Sequence, residues 1–213
     1  MFRWLSIFLV ITTPISIALW WWSKTASFER QYDEIIRPIA EEQKMDPLLI
    51  RAVIWRESRF RPHMRGGDGE RGLMQLMEIA AEDWARREKI QNFNPDQLYD
   101  PETNIRAGTW YLNRSIKRWA ETDNPLIFGL AEYNAGRSNA LRWVDSEHPE
   151  SSEAFMRHMD FPTTQRYVLA ITKKYAQYKR GYIQPPWVTA WYDWSAKIER
   201  RLKRNSPSPK AAE

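Results

Sequence analysis

The chain has 213 residues, enough for one domain with a sizeable core and a small addition. It has no cysteine, which excludes a disulfide scaffold, a cysteine nucleophile and a lipidated cysteine. Its 32 Lys and Arg against 27 Asp and Glu give a net charge of +5, a balance that suits a polyanionic partner or surface without selecting one.

Trp4 to Trp22 is an uncharged, mainly apolar run between Arg3 and Lys24. A helix needs about 20 such residues to cross a bilayer core. The run predicts a transmembrane anchor over residues 1–23, with the N-terminus in the cytoplasm and the remainder outside. A cleaved signal peptide is the competing reading, but Trp20, Trp21 and Trp22 stand where small residues should precede cleavage. Residues 24–34 read as a linker. Residues 35–181 read as an all-α domain of five to seven helices, because no stretch sustains a two-residue alternation.

Asp46 and Pro47 signal a helix start. Ile50, Val53, Ile54 and Glu57 then recur at steps of three and four, on one face. A carboxylate on an otherwise apolar face is desolvated, which raises its pKa and favours the acid form near neutral pH. Such a group at a helix end suits general acid cleavage of a glycosidic bond. The bland alternative is a solvated Glu paired with Arg56 or Arg59.

Next comes Arg65-Gly-Gly-Asp-Gly-Glu-Arg-Gly72, a loop able to bring backbone close to a ligand. It matches G-x-G-x-x-G literally, but the preceding run is polar and holds Pro62, so no dinucleotide site is expected. Leu73-Met-Gln-Leu-Met77 is predicted to begin a second helix, with the Gln75 amide placed for an acetamido group. Asp100 and Pro101 predict another helix start, and Gly136 a helix stop after Gly129-Leu-Ala-Glu-Tyr-Asn-Ala. Tyr133 and Asn134 there suit a sugar ring. The three histidines, at 63, 148 and 158, lack metal-ligand spacing, and a G-x-S-x-G elbow is absent. Neither metal nor cofactor is expected.

Beyond Gly181 the composition changes. Trp187, Trp191, Trp194, Ile198 and Leu202 form one helical stripe among basic residues, over 182–204. That segment reads either as a membrane-surface helix or as one packed on the domain. Residues 205–213 read as a disordered tail.

Four motifs in order, Glu57-Ser58, Gly72-Leu-Met-Gln75, Ala131-Glu-Tyr-Asn-Ala-Gly136 and Arg166-Tyr-Val168, resemble the soluble-type lytic transglycosylases, with likeness from about Ile35 to Tyr178. The resemblance implies a lysozyme-like helical domain acting on peptidoglycan glycan strands, not nucleic acid, without a cofactor. It makes Glu57 the catalytic acid/base. Ser58, Met74, Gln75, Tyr111, Tyr133, Asn134 and Tyr167 become substrate-binding or supporting residues. The expected location is the inner membrane, anchored through residues 4–22, with the domain in the periplasm. A cell-envelope protein complex stays open as a further partner. The chain departs from the family at Thr163, where many relatives carry an acid, and at Glu78, where they often have proline. Two other classes compete: a lysozyme-like hydrolase using Asp68 or Glu70 as base, and a glycan-binding scaffold without activity. Asp68 and Glu70 read as solvated charges on a flexible loop.

Overall fold

A computed structural model describes residues 27–181; the proposed anchor and the Trp-rich segment lie outside them. Between residues 33 and 179 the chain forms eight α-helices. They are α1 (Asp33–Gln43), α2 (Pro47–Glu57), α3 (Glu78–Arg87), α4 (Pro101–Arg118), α5 (Pro125–Ala135), α6 (Arg137–Arg142), α7 (Ser152–His158) and α8 (Pro162–Lys179). A 3-10 turn covers Pro95–Tyr99. The described residues hold no strand, only isolated bridges in the loop after α2. No described helix is long and apolar enough to cross a membrane.

Helix starts follow the local chemistry. The Asp46 side chain accepts the Leu48 N–H at 2.9 Å, and Pro47 needs no donor there. Asp100 does the same for the Thr103 N–H at 2.8 Å ahead of Pro101. α5 ends at Gly136, whose φ of 84° takes the backbone out of the helix; α6 restarts at once.

The core is built from Ile36, Ile39, Ile50, Val53, Ile54, Ile105, Leu112, Leu130, Val168 and Ile171, all buried. Full burial of each such side chain contributes about 1.5–3 kcal/mol. α2 and α8 run antiparallel. At one end Asp46 Oδ2 accepts from the Tyr175 hydroxyl at 2.7 Å and from Lys179 Nζ at 3.2 Å. The other end carries Glu57 and Tyr167.

Within the stretch read as a linker, the residues from Glu29 onward pack on the domain. Glu29 and Asp33 are buried. Glu29 accepts from Lys174 Nζ at 3.0 Å and from the Tyr178 hydroxyl at 2.8 Å, both on α8. Asp33 accepts from Arg51 of α2 at 2.6 Å. The compact unit therefore begins at Glu29. Its buried charges are matched, so removing one partner would cost about 3–5 kcal/mol by stranding the other.

Candidate active site

Glu57 is the last residue of α2. Ile50, Val53 and Ile54 on its face are fully buried, so the face points into the core and carries the carboxyl to the domain's inner wall. Part of Glu57 still reaches the surface. Burial pushes its carboxyl up to about 7; the Tyr167 hydrogen bond and the Arg56 charge oppose this, and the Glu70 charge adds to it. The Tyr167 hydroxyl donates to Glu57 Oε1 at 2.6 Å. The proton that Glu57 keeps near neutral pH therefore belongs on Oε2.

Burial pushes the hydroxyls of Tyr167 and Tyr133 well above their ordinary range, so both stay protonated donors. Tyr133 donates to the Met74 carbonyl at 2.8 Å. Its ring meets Tyr111 edge-on, with centroids 5.6 Å apart. Both rings are half-buried, and Asn134 beside them is exposed. Asn134 Oδ1 accepts from Thr164 Oγ1 at 2.9 Å, which ties the end of α5 to the start of α8.

The Leu73–Met77 stretch is not the start of a helix. Gln75 has φ 48°, Leu76 exchanges backbone hydrogen bonds with Arg71, and α3 begins only at Glu78. The cause lies in α4. Asn104 is fully buried and accepts the Met74 N–H at 2.7 Å, while its amide donates to Arg71 O at 2.9 Å and Leu98 O at 2.8 Å. These bonds hold the loop against α4 in place of helical ones.

Three of the residues that the resemblance makes substrate-binding or supporting ones are buried. Met74 is fully buried against α4, where a Cβ on Gly108 would stand 2.6 Å from its sulfur; only its carbonyl serves Tyr133. Ser58 is fully buried, and its hydroxyl donates to Ile54 O at 3.3 Å. Tyr167 is buried and addresses Glu57. Tyr167 meets Glu57 and the Met74 carbonyl meets Tyr133, while the Ser58 hydroxyl bonds back to α2. Gln75 is half-buried and its amide nitrogen is occupied by Met64 O at 3.1 Å and Gly72 O at 2.8 Å, leaving its oxygen as the addressable group. Asn104 and Thr164 are buried polar residues to which the sequence reading gives no role, although Asn104 lies in the Asp100–Ile105 stretch that resembles the family.

A depression of about 910 Å³ lies elsewhere, between the end of α1, α3 and α4. Lys44, Asp83, Arg106, Trp110 and Arg114 line it, and Glu57 does not. Its Arg106 and Arg114 are already paired with Glu42 and Asp83, so its chemistry is that of a solvated charged face. Among the described residues no cluster of His, Asp or Glu is arranged to hold a metal.

The model of the Transglycosylase SLT domain family matches residues 34–156. The chain belongs to that family. The soluble lytic murein transglycosylase of Escherichia coli K12 is 28% identical over 169 residues, covering 78% of this chain and 26% of that protein. A membrane-bound lytic murein transglycosylase F of Desulfosudis oleivorans is 33% identical over 109 residues, 50% of this chain and 22% of its own. Among solved structures, an inactive glutamate-to-glutamine mutant of the lytic transglycosylase Slt from Pseudomonas aeruginosa superposes with a TM-score of 0.64. It is 26% identical and covers 74% of this chain and 26% of its own. The chain spans about a quarter of the length of these relatives. What it shares with them is the helical SLT domain that carries Glu57.

Proposed function

We propose that this SLT domain is a peptidoglycan lytic transglycosylase that cleaves the β-1,4 bond from N-acetylmuramic acid to N-acetylglucosamine and leaves a 1,6-anhydro end. The observation that carries the reading is the Glu57 carboxyl: desolvated, with a pKa pushed up to about 7, and hydrogen-bonded by Tyr167. Its relatives' names point the same way.

In this reading Glu57 gives its proton to the bridging oxygen as the bond breaks and the muramic ring becomes cationic. The substrate's acetamido group stabilises the cation. Ionised Glu57 then takes the proton of the sugar's own 6-hydroxyl, which closes on the anomeric carbon. The nucleophile is part of the bound substrate, so its proximity supplies much of the rate. Tyr111, Tyr133, Asn134 and the Gln75 oxygen would meet the glycan, while Ser58, Met74 and Tyr167 hold the frame.

Mass analysis of muropeptides released from purified peptidoglycan tests this. The products should be lighter by one water than lysozyme products and resist borohydride reduction. Reducing, water-added products would make the protein a hydrolase, and no products at all would favour a binding module.

We also propose that residues 4–22 anchor the protein in the inner membrane, with the SLT domain in the periplasm. The apolar run and the membrane-bound names of some relatives support this. The full chain should then stay with the membrane fraction through alkaline washing. Recovery as a soluble product, or one cut near Ala26, would defeat it.

A further inference from the structure

Thr164 is buried in the first turn of α8, and its hydroxyl needs an acceptor there. Asn134 Oδ1, at 2.9 Å, is that acceptor. A hydroxyl carries one proton. With the amide turned over, an NH2 group would face the hydroxyl, and the buried proton would lose its partner at a cost. Thr164 therefore holds the Asn134 amide with its oxygen inward and its nitrogen outward. Asn134 itself is exposed near the end of α5, next to the half-buried Tyr133, and among the described residues none accepts from its Nδ2. The start of α8 is pinned in turn. The Gln165 side-chain amide donates to Met156 O at 3.1 Å and to Met159 O at 2.8 Å, at the end of α7. Tyr167 lies one turn beyond Thr164, on the same face and about 4.5 Å further along the axis. One face of α8 thus addresses both Glu57 and Asn134.

We propose that Thr164 is a positioning residue for substrate: it fixes the Asn134 amide so that Nδ2 is offered outward as a donor, and the group that Nδ2 receives is an acceptor oxygen of the glycan. This rests on the reading above in which Asn134 meets the glycan. An exposed Asn side chain is not fixed by itself, because its terminal torsion is broad and either end of the amide can be shown. Binding to a free amide costs the entropy of ordering it. Thr164 supplies that order in advance. It also selects: an acceptor is taken, and a donor at the same point meets a second donor. The bond places the amide in one frame with the Tyr167–Glu57 pair, because both contacts come from one helix face.

The test is a double-mutant cycle on binding. The full chain carries Glu57→Gln throughout, so that glycan is held and not cut. The probe is a tetrasaccharide of alternating N-acetylglucosamine and N-acetylmuramic acid, and its binding is followed by calorimetry. Thr164→Val keeps the shape and removes the hydroxyl. It should weaken binding about two- to tenfold, the worth of one hydrogen bond. Thr164→Ser should restore it. Asn134→Ala should weaken binding at least as much, and Thr164→Val added to it should do nothing further, a result that a merely structural threonine would not give. Asn134→Asp keeps an oxygen toward Thr164 and replaces the outward nitrogen by an acceptor, so it should bind no better than alanine. It also decides the matter should Thr164→Val fail to fold. An Asn134→Asp that binds like asparagine, or a Thr164→Val loss that persists in full without Asn134, would overturn the role of Thr164. An unaffected Thr164→Val beside a weakened Asn134→Ala would overturn that role alone and leave Asn134 in the groove. Asn134→Ala without effect on binding would remove Asn134 from the groove and the role of Thr164 with it.

Discussion

Glu57→Gln should abolish peptidoglycan cleavage and at the same time make the fold more stable. Gln keeps the shape of the side chain and can still accept from Tyr167, but it has no proton to give. Losing general acid catalysis alone costs about a hundred- to ten-thousand-fold in rate, and loss of the same group as base adds to that. The stability gain follows from the ionisation of Glu57. Its carboxyl ordinarily titrates near 4.5 and is pushed up to about 7 in the fold. Below the lower value it is protonated whether folded or not, and burying it costs little. Between the two values the unfolded chain loses the proton first, so stability falls as pH rises. Above about 7 the full penalty of a buried carboxylate is present. Gln never carries that charge. The variant should therefore melt higher than wild type at about pH 8, by on the order of 2 kcal/mol after discounting for solvent at the groove, and close to wild type at about pH 4. Wild-type activity should correspondingly decline on the alkaline side as Glu57 loses its proton. Retained cleavage, or a melting difference independent of pH, would count against the assignment.

Asn104→Ala should be among the most damaging changes away from Glu57, although residue 104 touches no substrate. The side chain holds three backbone groups of two loops in a fully buried place. Alanine would strand the Met74 N–H and leave the carbonyls of Arg71 and Leu98 without this donor. Each buried polar group left unmatched costs about 1–3 kcal/mol. A loss of roughly 3–5 kcal/mol is expected, since the bonds are coupled and do not add fully. The Met74 carbonyl that receives Tyr133 would move as well, so activity should fall further than stability alone dictates. Urea denaturation measures the first effect. A change below about 1 kcal/mol would mean that water enters and replaces the amide.

Helix starts and stops were legible because their causes are local. Asp46 with Pro47, Asp100 with Pro101, and Gly136 each act within a few residues of themselves. Glu57 was legible for a related reason: the helical period puts it on the face of Ile50, Val53 and Ile54. The stretch from Leu73 to Met77 was not. It is as apolar as a helix start, and the residue that keeps it from becoming one, Asn104, is 30 positions away from Met74. The burial of Met74, Ser58 and Tyr167 escaped sequence reading in the same way, since motif membership does not say which side of a groove wall a side chain occupies. Glu70 sits in a glycine-rich, charged loop that looks flexible. Its order comes from Asp68, Gly66 and the Arg65–Arg71 bridge. Residues 29–33 read as linker because their partners, Lys174, Tyr178 and Arg51, lie far along the chain.

The antiparallel pairing of α2 with α8 has a consequence for when the domain becomes competent. Glu57 and Tyr167 are 110 residues apart, Asp46 and Tyr175 are 129 apart, and Glu29 and Lys174 are 145 apart. Contacts of such separation close large loops and form late. A chain emerging from the ribosome completes α2 early but lacks its partner until nearly all of the domain has been made. Until then Glu57 has no burying wall and no hydroxyl donor, and its carboxyl titrates like that of any solvated glutamate. If Glu57 is the general acid, a nascent fragment lacking α8 should be inert and only the finished domain active.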